Sequence, residues 1–112
     1  MRRAGRSLLG VLPLLAGLAS PAQAALPTYE LTIRDGHFEP ATLEVPARQR
    51  FKIIVHNAGS GPTEFESTPL RVEKVLSPGV TSFVVIHPLK PGRYPFFDEF
   101  HLDLPEGEIV AK

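Results

Sequence analysis

The chain has 112 residues, no net formal charge, twelve prolines, nine glycines and no cysteine. This length allows one small domain and excludes a two-domain enzyme with a cleft between the domains. The lack of cysteine excludes disulfides, zinc–thiolate sites, iron–sulfur clusters and cysteine catalysis.

The N-terminal segment differs in composition from the rest of the chain. Three arginines lie within the first six residues, residues 8–16 are mostly apolar, and the segment ends in Ala22-Gln23-Ala24. These features are typical of a secretory signal peptide, and the apolar stretch is shorter than the about 20 residues of a membrane span. We therefore expect residues 1–24 to be a cleaved signal peptide, residues 25–112 to form the mature domain, and the protein to be exported.

The mature part of the chain is mildly acidic. Without residues 1–24, which hold three arginines and no acidic residue, it carries nine basic and twelve acidic side chains, for a net charge of −3. A nucleic-acid partner requires a basic surface, so we expect none.

Residues 25–112 show the two-residue period of β-strands. Apolar and polar residues alternate over residues 29–34 and 51–56, as in strands with one buried face. Short strand-like runs follow, separated by turns rich in Pro and Gly: Thr42–Val45, Phe65–Ser67, Val72–Leu76, Thr81–Ile86, Tyr94–Phe97 and Glu108–Ala111. The pattern predicts an all-β, antiparallel sandwich of seven to eight strands.

Two acidic clusters are candidates for metal chemistry. In a strand, Glu64 and Glu66 point to the same face about 7 Å apart, where the two carboxylates repel each other unless a cation lies between them. Glu73 joins this face only if its strand pairs with the strand of Glu64. The alternative interpretation is a solvated strand face.

The second cluster contains Asp98, Glu99 and His101 and lies among three phenylalanines, Phe96, Phe97 and Phe100. Carboxylates and imidazole suit iron, copper or zinc, and the alternative interpretation is an acidic surface loop. The other histidines, His37, His56 and His87, are expected at the surface, with His56 facing away from the core.

Most of the mature chain resembles the cupredoxins. The resemblance is carried by Phe38-Glu39-Pro40, Arg50–Asn57, Thr63-Glu64-Phe65, Leu76–Gly79, Pro91–Phe97 and Gly107–Val110. It implies a Greek-key β-sandwich of two packed sheets. In the blue-copper members, a His precedes the Glu-Phe step, a Cys ends the Pro-Gly-x-Tyr strand, a second His follows, and a Met precedes the final Gly.

This chain retains one of those four copper ligands. Thr63 takes the position of the first His, Asp98 that of the Cys, and Pro105 or Glu106 that of the Met, while His101 keeps the second His. A type 1 blue copper centre needs a copper–thiolate bond, so the sequence excludes one. The alignment also predicts that Thr63, Asp98 and His101 converge at one end of the sandwich. Glu64 would point the opposite way from Thr63 unless the strand bulges.

The sequence is also similar to the periplasmic cupredoxin-like proteins of bacterial ferrous-iron uptake, the EfeO-type domain and its Ftr-type relatives. That resemblance rests on Glu64-Phe65-Glu66 and on Asp98, which stands where EfeO-type members have Cys. It implies an iron or copper ion bound by Glu64, Glu66, Asp98 and His101, with Glu99 and Glu106 as further candidates.

The implied function is that of a periplasmic accessory of bacterial Fe(II) uptake, which assists oxidation of the ion or its delivery to a membrane iron permease and other periplasmic transport components. The alternative is a metal-free β-sandwich that acts as a binding module and docks to a periplasmic or membrane partner.

Overall fold

A computed structural model describes residues 25–112; the predicted signal peptide, residues 1–24, lies outside the described residues. Nine strands and one 3₁₀ turn, Glu99–His101, follow one another along the chain. The strands are β1 (Thr28–Arg34), β2 (His37–Glu39), β3 (Thr42–Val45), β4 (Phe51–Asn57), β5 (Thr63–Ser67), β6 (Val72–Leu76), β7 (Thr81–Ile86), β8 (Gly92–Phe96) and β9 (Gly107–Ala111).

The first sheet has the strand order β2-β1-β4-β7. β1 pairs in parallel with β4, from Thr28 opposite Lys52 to Ile33 opposite Asn57. β2 and β7 pair antiparallel at the two edges. Strand β4 alternates buried and half-buried residues along its whole length, which reflects the two-residue period of its sequence.

The second sheet has the order β3-β9-β8, with β3 parallel to β9 and β8 antiparallel to it. The hairpin β5-β6 continues this sheet, because Glu66 and Phe97 exchange two backbone hydrogen bonds of 3.0 and 2.8 Å. This bridge holds the middle of β5 beside the end of β8. The segment that follows β8 therefore lies over β5.

Apolar side chains from both sheets fill the core, and three of the largest fully buried ones are Phe51, Phe65 and Phe96. Phe96 packs edge-on to Phe38 at 4.9 Å between ring centroids and against Phe65 at 4.8 Å. Aromatic pairs in such geometry add about 0.5–1.5 kcal/mol beyond the area they bury. The pair of Phe65 and Phe96 fixes β5 against β8 directly beneath the predicted site.

The all-β sandwich predicted from the sequence is confirmed. Two details differ from the prediction. The pairings of β1 with β4 and of β3 with β9 are parallel, and there is one strand more than the predicted seven to eight, because β2 has only three residues and follows directly on the turn at Asp35 and Gly36. Within residues 25–112 no helix is long and apolar enough to span a membrane.

Candidate functional site

Strand β5 separates two polar groups, one on each of its faces. Its pairing with β6 runs without interruption from Thr63 opposite Leu76 to Ser67 opposite Val72. An uninterrupted register contains no bulge, so successive side chains point to opposite faces. Thr63 and Glu64 are both almost fully buried, but they belong to different surroundings.

On the Thr63 side, Asp98 is the centre of a hydrogen-bond network. Its Oδ2 accepts a short hydrogen bond from the Thr63 hydroxyl and lies 2.9 Å from His101 Nδ1. Its Oδ1 accepts from the backbone N–H groups of Glu64 at 3.1 Å and Phe100 at 2.9 Å. The predicted convergence of Thr63, Asp98 and His101 is therefore found, and we call these three residues the Asp98 network.

The Asp98 network leaves its carboxylate no free acceptor site. A carboxylate offers about four lone-pair positions, and the two oxygens of Asp98 accept four hydrogen bonds while the residue is only 2% exposed. A metal at Asp98 would have to displace at least one of these buried donors, at a cost of about 1–3 kcal/mol for each group left unsatisfied.

Type 1 copper, the metal that the fold suggests, does not fit these residues. Thr63 and Asp98 supply a hydroxyl and a saturated carboxylate where such a centre needs imidazole and thiolate, and the chain contains no cysteine. The network is not a hydrolytic triad either. A triad places the His between hydroxyl and carboxylate, whereas here the carboxylate lies between Thr63 and His101.

A close contact with the β1–β2 turn fixes the ring of His101. Gly36 has a positive φ of 88°, and a Cβ atom built on it would lie 2.5 Å from His101 Cγ. Only glycine meets both requirements without strain. Because Nδ1 faces the carboxylate of Asp98, the proton sits on Nδ1, and Nε2 of the part-exposed ring is the nitrogen left for another partner.

On the opposite face of β5, four glutamates form what we call the glutamate group: Glu64, Glu66, Glu73 and Glu99. One carboxylate oxygen from each lies within 4.8 Å of those of the other three. Glu66 stands directly opposite Glu73 across the β5-β6 pair. The backbone N–H of Glu99 donates to Glu64 Oε1 at 3.1 Å, so the 3₁₀ turn covers Glu64.

The electrostatics of the glutamate group are unfavourable without a counter-charge. Burial, together with the side chains of Glu73 and Glu66, raises the pKa of Glu64 from 4.5 to about 8, against the opposing effect of the Glu99 N–H. Glu66 Oε1 is buried and has no hydrogen-bond partner. A buried acceptor without a donor, next to a carboxyl held protonated at neutral pH, is the arrangement that a bound cation would relieve.

Of the six candidate ligands, the structure divides five between the two faces of β5. Glu64, Glu66 and Glu99 lie in the glutamate group, while Asp98 and His101 lie in the Asp98 network. Glu73, which the sequence left conditional on strand pairing, joins the first group because β5 and β6 do pair. Glu106 is exposed and belongs to neither group.

The other histidines are exposed or half-buried, as predicted. His56 faces outward from the first sheet and contacts Glu30 Oε1 at 2.7 Å and Thr81 Oγ1 at 2.9 Å. This acid–imidazole–hydroxyl order is that of a hydrolytic triad, but its members stand in a row across an open sheet face. Residues 25–112 enclose no pocket there or elsewhere.

Comparison with known proteins gives a family and several structural relatives. The Cupredoxin-like domain family matches residues 7–111. An uncharacterised protein of Rickettsia prowazekii is 40% identical over 82 residues, which are 73% of this chain and 66% of that protein. The chain therefore spans just under two thirds of that curated relative.

Solved structures with the same fold have low sequence identity to this chain. A purple cupredoxin of Nitrosopumilus maritimus is 17% identical, with a TM-score of 0.57 over 75% of this chain and 99% of that one. Auracyanin of Roseiflexus castenholzii is 14% identical, with a TM-score of 0.65 over 80% and 99%.

A third similar structure is the metal-binding domain of the Cu(I)-exporting P-type ATPase of Streptococcus pneumoniae, which is 15% identical, with a TM-score of 0.63 over 76% of this chain and 84% of that one. At such identities the structural likeness shows the fold alone, and the match to the family covers nearly the whole sequence. The chain belongs to the cupredoxin-like domain family.

Proposed function

We propose that this domain captures a hard, oxygen-preferring cation at the glutamate group and serves as a periplasmic accessory of iron uptake. The observation that carries the proposal is the group itself, with four carboxylate oxygens within 4.8 Å of one another around the buried Glu64. Carboxylates prefer hard cations, whereas copper sites of this fold are built from softer sulfur and nitrogen ligands. Iron is proposed as the cargo because the sequence resembles the iron-uptake cupredoxins.

The residues of this chain would perform three tasks. Glu64 and Glu66 supply ligand oxygens from the rigid strand β5, and Glu73 supplies one from β6. Glu99 closes the group from the 3₁₀ turn, through both its carboxylate and its backbone contact to Glu64. The concentration of negative charge stabilises Fe(III) more than Fe(II), so it favours oxidation of the captured ion by an external electron acceptor.

The surface beside the glutamate group carries exposed apolar side chains, which supports delivery of the captured ion to a docked partner. Phe100 and Leu102 are 51% and 69% exposed in the segment that covers Glu64 and holds His101. Exposed apolar side chains at the border of a polar site are typical of docking surfaces. We propose a membrane iron permease as the docking partner. The same two residues are also what supports the alternative function, a metal-free docking module.

Thermal unfolding with and without Fe(II) under anaerobic conditions tests the proposal. A ligand that binds only the folded protein at one hundred times its Kd adds about 2.7 kcal/mol to the free energy of unfolding, which is a rise in Tm of at least about 10 °C for a domain of this size. The protein is purified without chelators and without a polyhistidine tag.

Two matched variants make the test specific. E64Q/E66Q should lose the shift, and His101→Ala should keep it, because His101 lies outside the glutamate group. Absence of any metal-dependent shift in the wild type refutes the cation site and leaves the docking module. For the proposed export, N-terminal sequencing of the periplasmic protein should begin at Ala25.

A further inference from the structure

Glu99 is the member of the glutamate group that does not lie on a strand. The other three are carried by the paired strands β5 and β6, whereas Glu99 is exposed and opens the three-residue 3₁₀ turn Glu99–His101. One backbone hydrogen bond, from the His101 N–H to the Asp98 carbonyl at 2.9 Å, closes this turn. The place of the turn beside β5 must therefore come from contacts outside the turn.

The backbone pairing between β5 and the segment after β8 stops one residue before Asp98. Phe97 exchanges two backbone hydrogen bonds with Glu66, and in the part of the chain that the structure describes no further backbone pair joins β5 to the turn. Three hydrogen bonds that involve side chains take over. The Asp98 carboxylate makes two of them, and the third runs from the Glu99 N–H to Glu64 Oε1. Asp98 is thus the main polar tie between the turn and the strand.

A single oxygen atom of Asp98 joins the two segments that carry Glu64 and Glu99. Its Oδ1 accepts from the Glu64 N–H on β5 at 3.1 Å and from the Phe100 N–H in the turn at 2.9 Å. The first donor belongs to a candidate ligand, and the second belongs to the residue that follows another one. Because Asp98 is only 2% exposed, water competes little for either bond.

We infer that Asp98 is a positioning residue of the cation site, because its Oδ1 fixes the turn that carries Glu99 against the strand that carries Glu64. This inference rests on the proposed cation site and adds to it a residue that does not touch the ion. Without the tie, repulsion among the carboxylates would move Glu99 away from the other three. Replacing residues that orient metal ligands typically lowers the affinity for the metal by about 10–100-fold.

The other two partners of Asp98 have no part in this tie. The Thr63 hydroxyl and His101 Nδ1 both contact Oδ2. Removal of the His101 ring therefore leaves both hydrogen bonds of Oδ1 in place. His101→Ala is the matched control, since it removes a contact of Asp98 without releasing the turn from β5.

Titration with Mn(II), followed by the electron paramagnetic resonance signal of the free ion, measures the role of Asp98. Asp98→Ala should raise the Kd for Mn(II) by about 10–100-fold, and His101→Ala should leave it unchanged. Asp98→Asn separates position from charge. Its Oδ1 can still accept from both N–H groups, while the Thr63 hydroxyl and the neutral His101 ring can both accept from its amide, so Asn should restore most of the affinity. Equal losses for Asn and Ala would assign the effect to charge and contradict positioning.

A double-mutant cycle shows whether Asp98 acts through Glu99. Glu99→Ala removes one ligand at an exposed position. In that background, Asp98→Ala should raise the Kd much less than it does in the wild type, because no Glu99 carboxylate remains to be positioned. Losses that multiply in full, as for two independent residues, refute the inference.

Asp98→Ser is a second variant, because Asp98→Ala also weakens the fold. Serine is a favoured N-cap residue, so it can keep the hydrogen bond to the Phe100 N–H, but its shorter side chain loses the second one, to the Glu64 N–H. This variant should keep the circular dichroism of the wild type and bind Mn(II) as weakly as Asp98→Ala. A wild type that does not bind Mn(II) refutes the cation site itself, whereas equal binding by the wild type and Asp98→Ser refutes the positioning role alone.

Discussion

The two faces of β5 both adjoin buried carboxyl groups but differ in the number of hydrogen-bond donors around them. In the Asp98 network, one carboxylate is surrounded by four donors and is fully satisfied. In the glutamate group, four carboxyl groups share few donors, and one buried oxygen has none. The comparison shows that burial of an acid does not by itself point to a candidate cation site, since only the glutamate group leaves a buried carboxylate oxygen without a donor.

The position that resembles a copper site is thus the one less suited to bind an ion. At Asp98 the protein supplies the positive ends of backbone and side-chain dipoles, which stabilise the fold without a metal. At the glutamate group it supplies four crowded carboxyl groups and one backbone N–H, so a cation would lower the energy of the folded state there.

Replacing Asp98 with Ala should have the largest effect on stability. It removes the acceptor for the buried Thr63 hydroxyl and for two backbone N–H groups, each of which costs about 1–3 kcal/mol when left unpaired. We expect a loss of about 3–5 kcal/mol in the free energy of unfolding, measured by urea denaturation. Asp103→Ala, at an exposed position of the same loop, is the control. A loss equal to that of the control would show that the network is dispensable.

Replacing Thr63 with Val should cost less, because it removes one donor and leaves the other three contacts of Asp98 in place. A hydrogen bond to a charged group contributes about 1.5–3 kcal/mol, and we expect a loss in that range by the same denaturation assay. Thr63→Ser, which keeps the hydroxyl, should restore most of it. If Ser is no better than Val, packing and not the hydrogen bond accounts for the role of Thr63.

The glutamate group should make the metal-free protein less stable as the pH rises. The pKa of Glu64 is about 8 in the folded state against 4.5 for a free side chain, so the folded protein holds this proton more tightly than the unfolded chain. Between these values the free energy of unfolding should fall with pH, by up to about 1.4 kcal/mol per unit.

This pH dependence can be measured by denaturation in the presence of a chelator. Glu64→Gln should flatten the profile, and Glu106→Gln, at an exposed position, should leave it unchanged. A wild-type profile that is already flat from pH 5 to 8 would contradict the electrostatic description of the group.

The sequence predicts most of the fold because either an apolar period of two or a short apolar run between turn residues marks each strand of four or more residues. It also places Glu64 and Glu66 on one face, because side chains alternate along a strand. The three-residue β2 carries too few residues to show a period, and parallel pairing leaves no signal in a single strand. The position of Glu73 depends on the register between β5 and β6, which is a tertiary property.

The sequence did not show how the candidate ligands are grouped in space. The resemblance to metal-binding cupredoxins grouped Asp98 and His101 with Glu64, because their positions match ligand positions of the family. The alternation along β5 already conflicted with that grouping. The structure resolves the conflict in favour of alternation, since no bulge interrupts the β5-β6 pairing.

Anomalous diffraction from crystals soaked in Mn(II), a hard cation that is stable in air, tests the central claim most directly. We expect one strong peak among the carboxylates of Glu64, Glu66, Glu73 and Glu99, with the hydrogen bonds of Asp98 to Thr63 and His101 intact. A peak coordinated by Asp98 and His101, or no peak at the glutamate group, would contradict the division of roles between the two faces of β5.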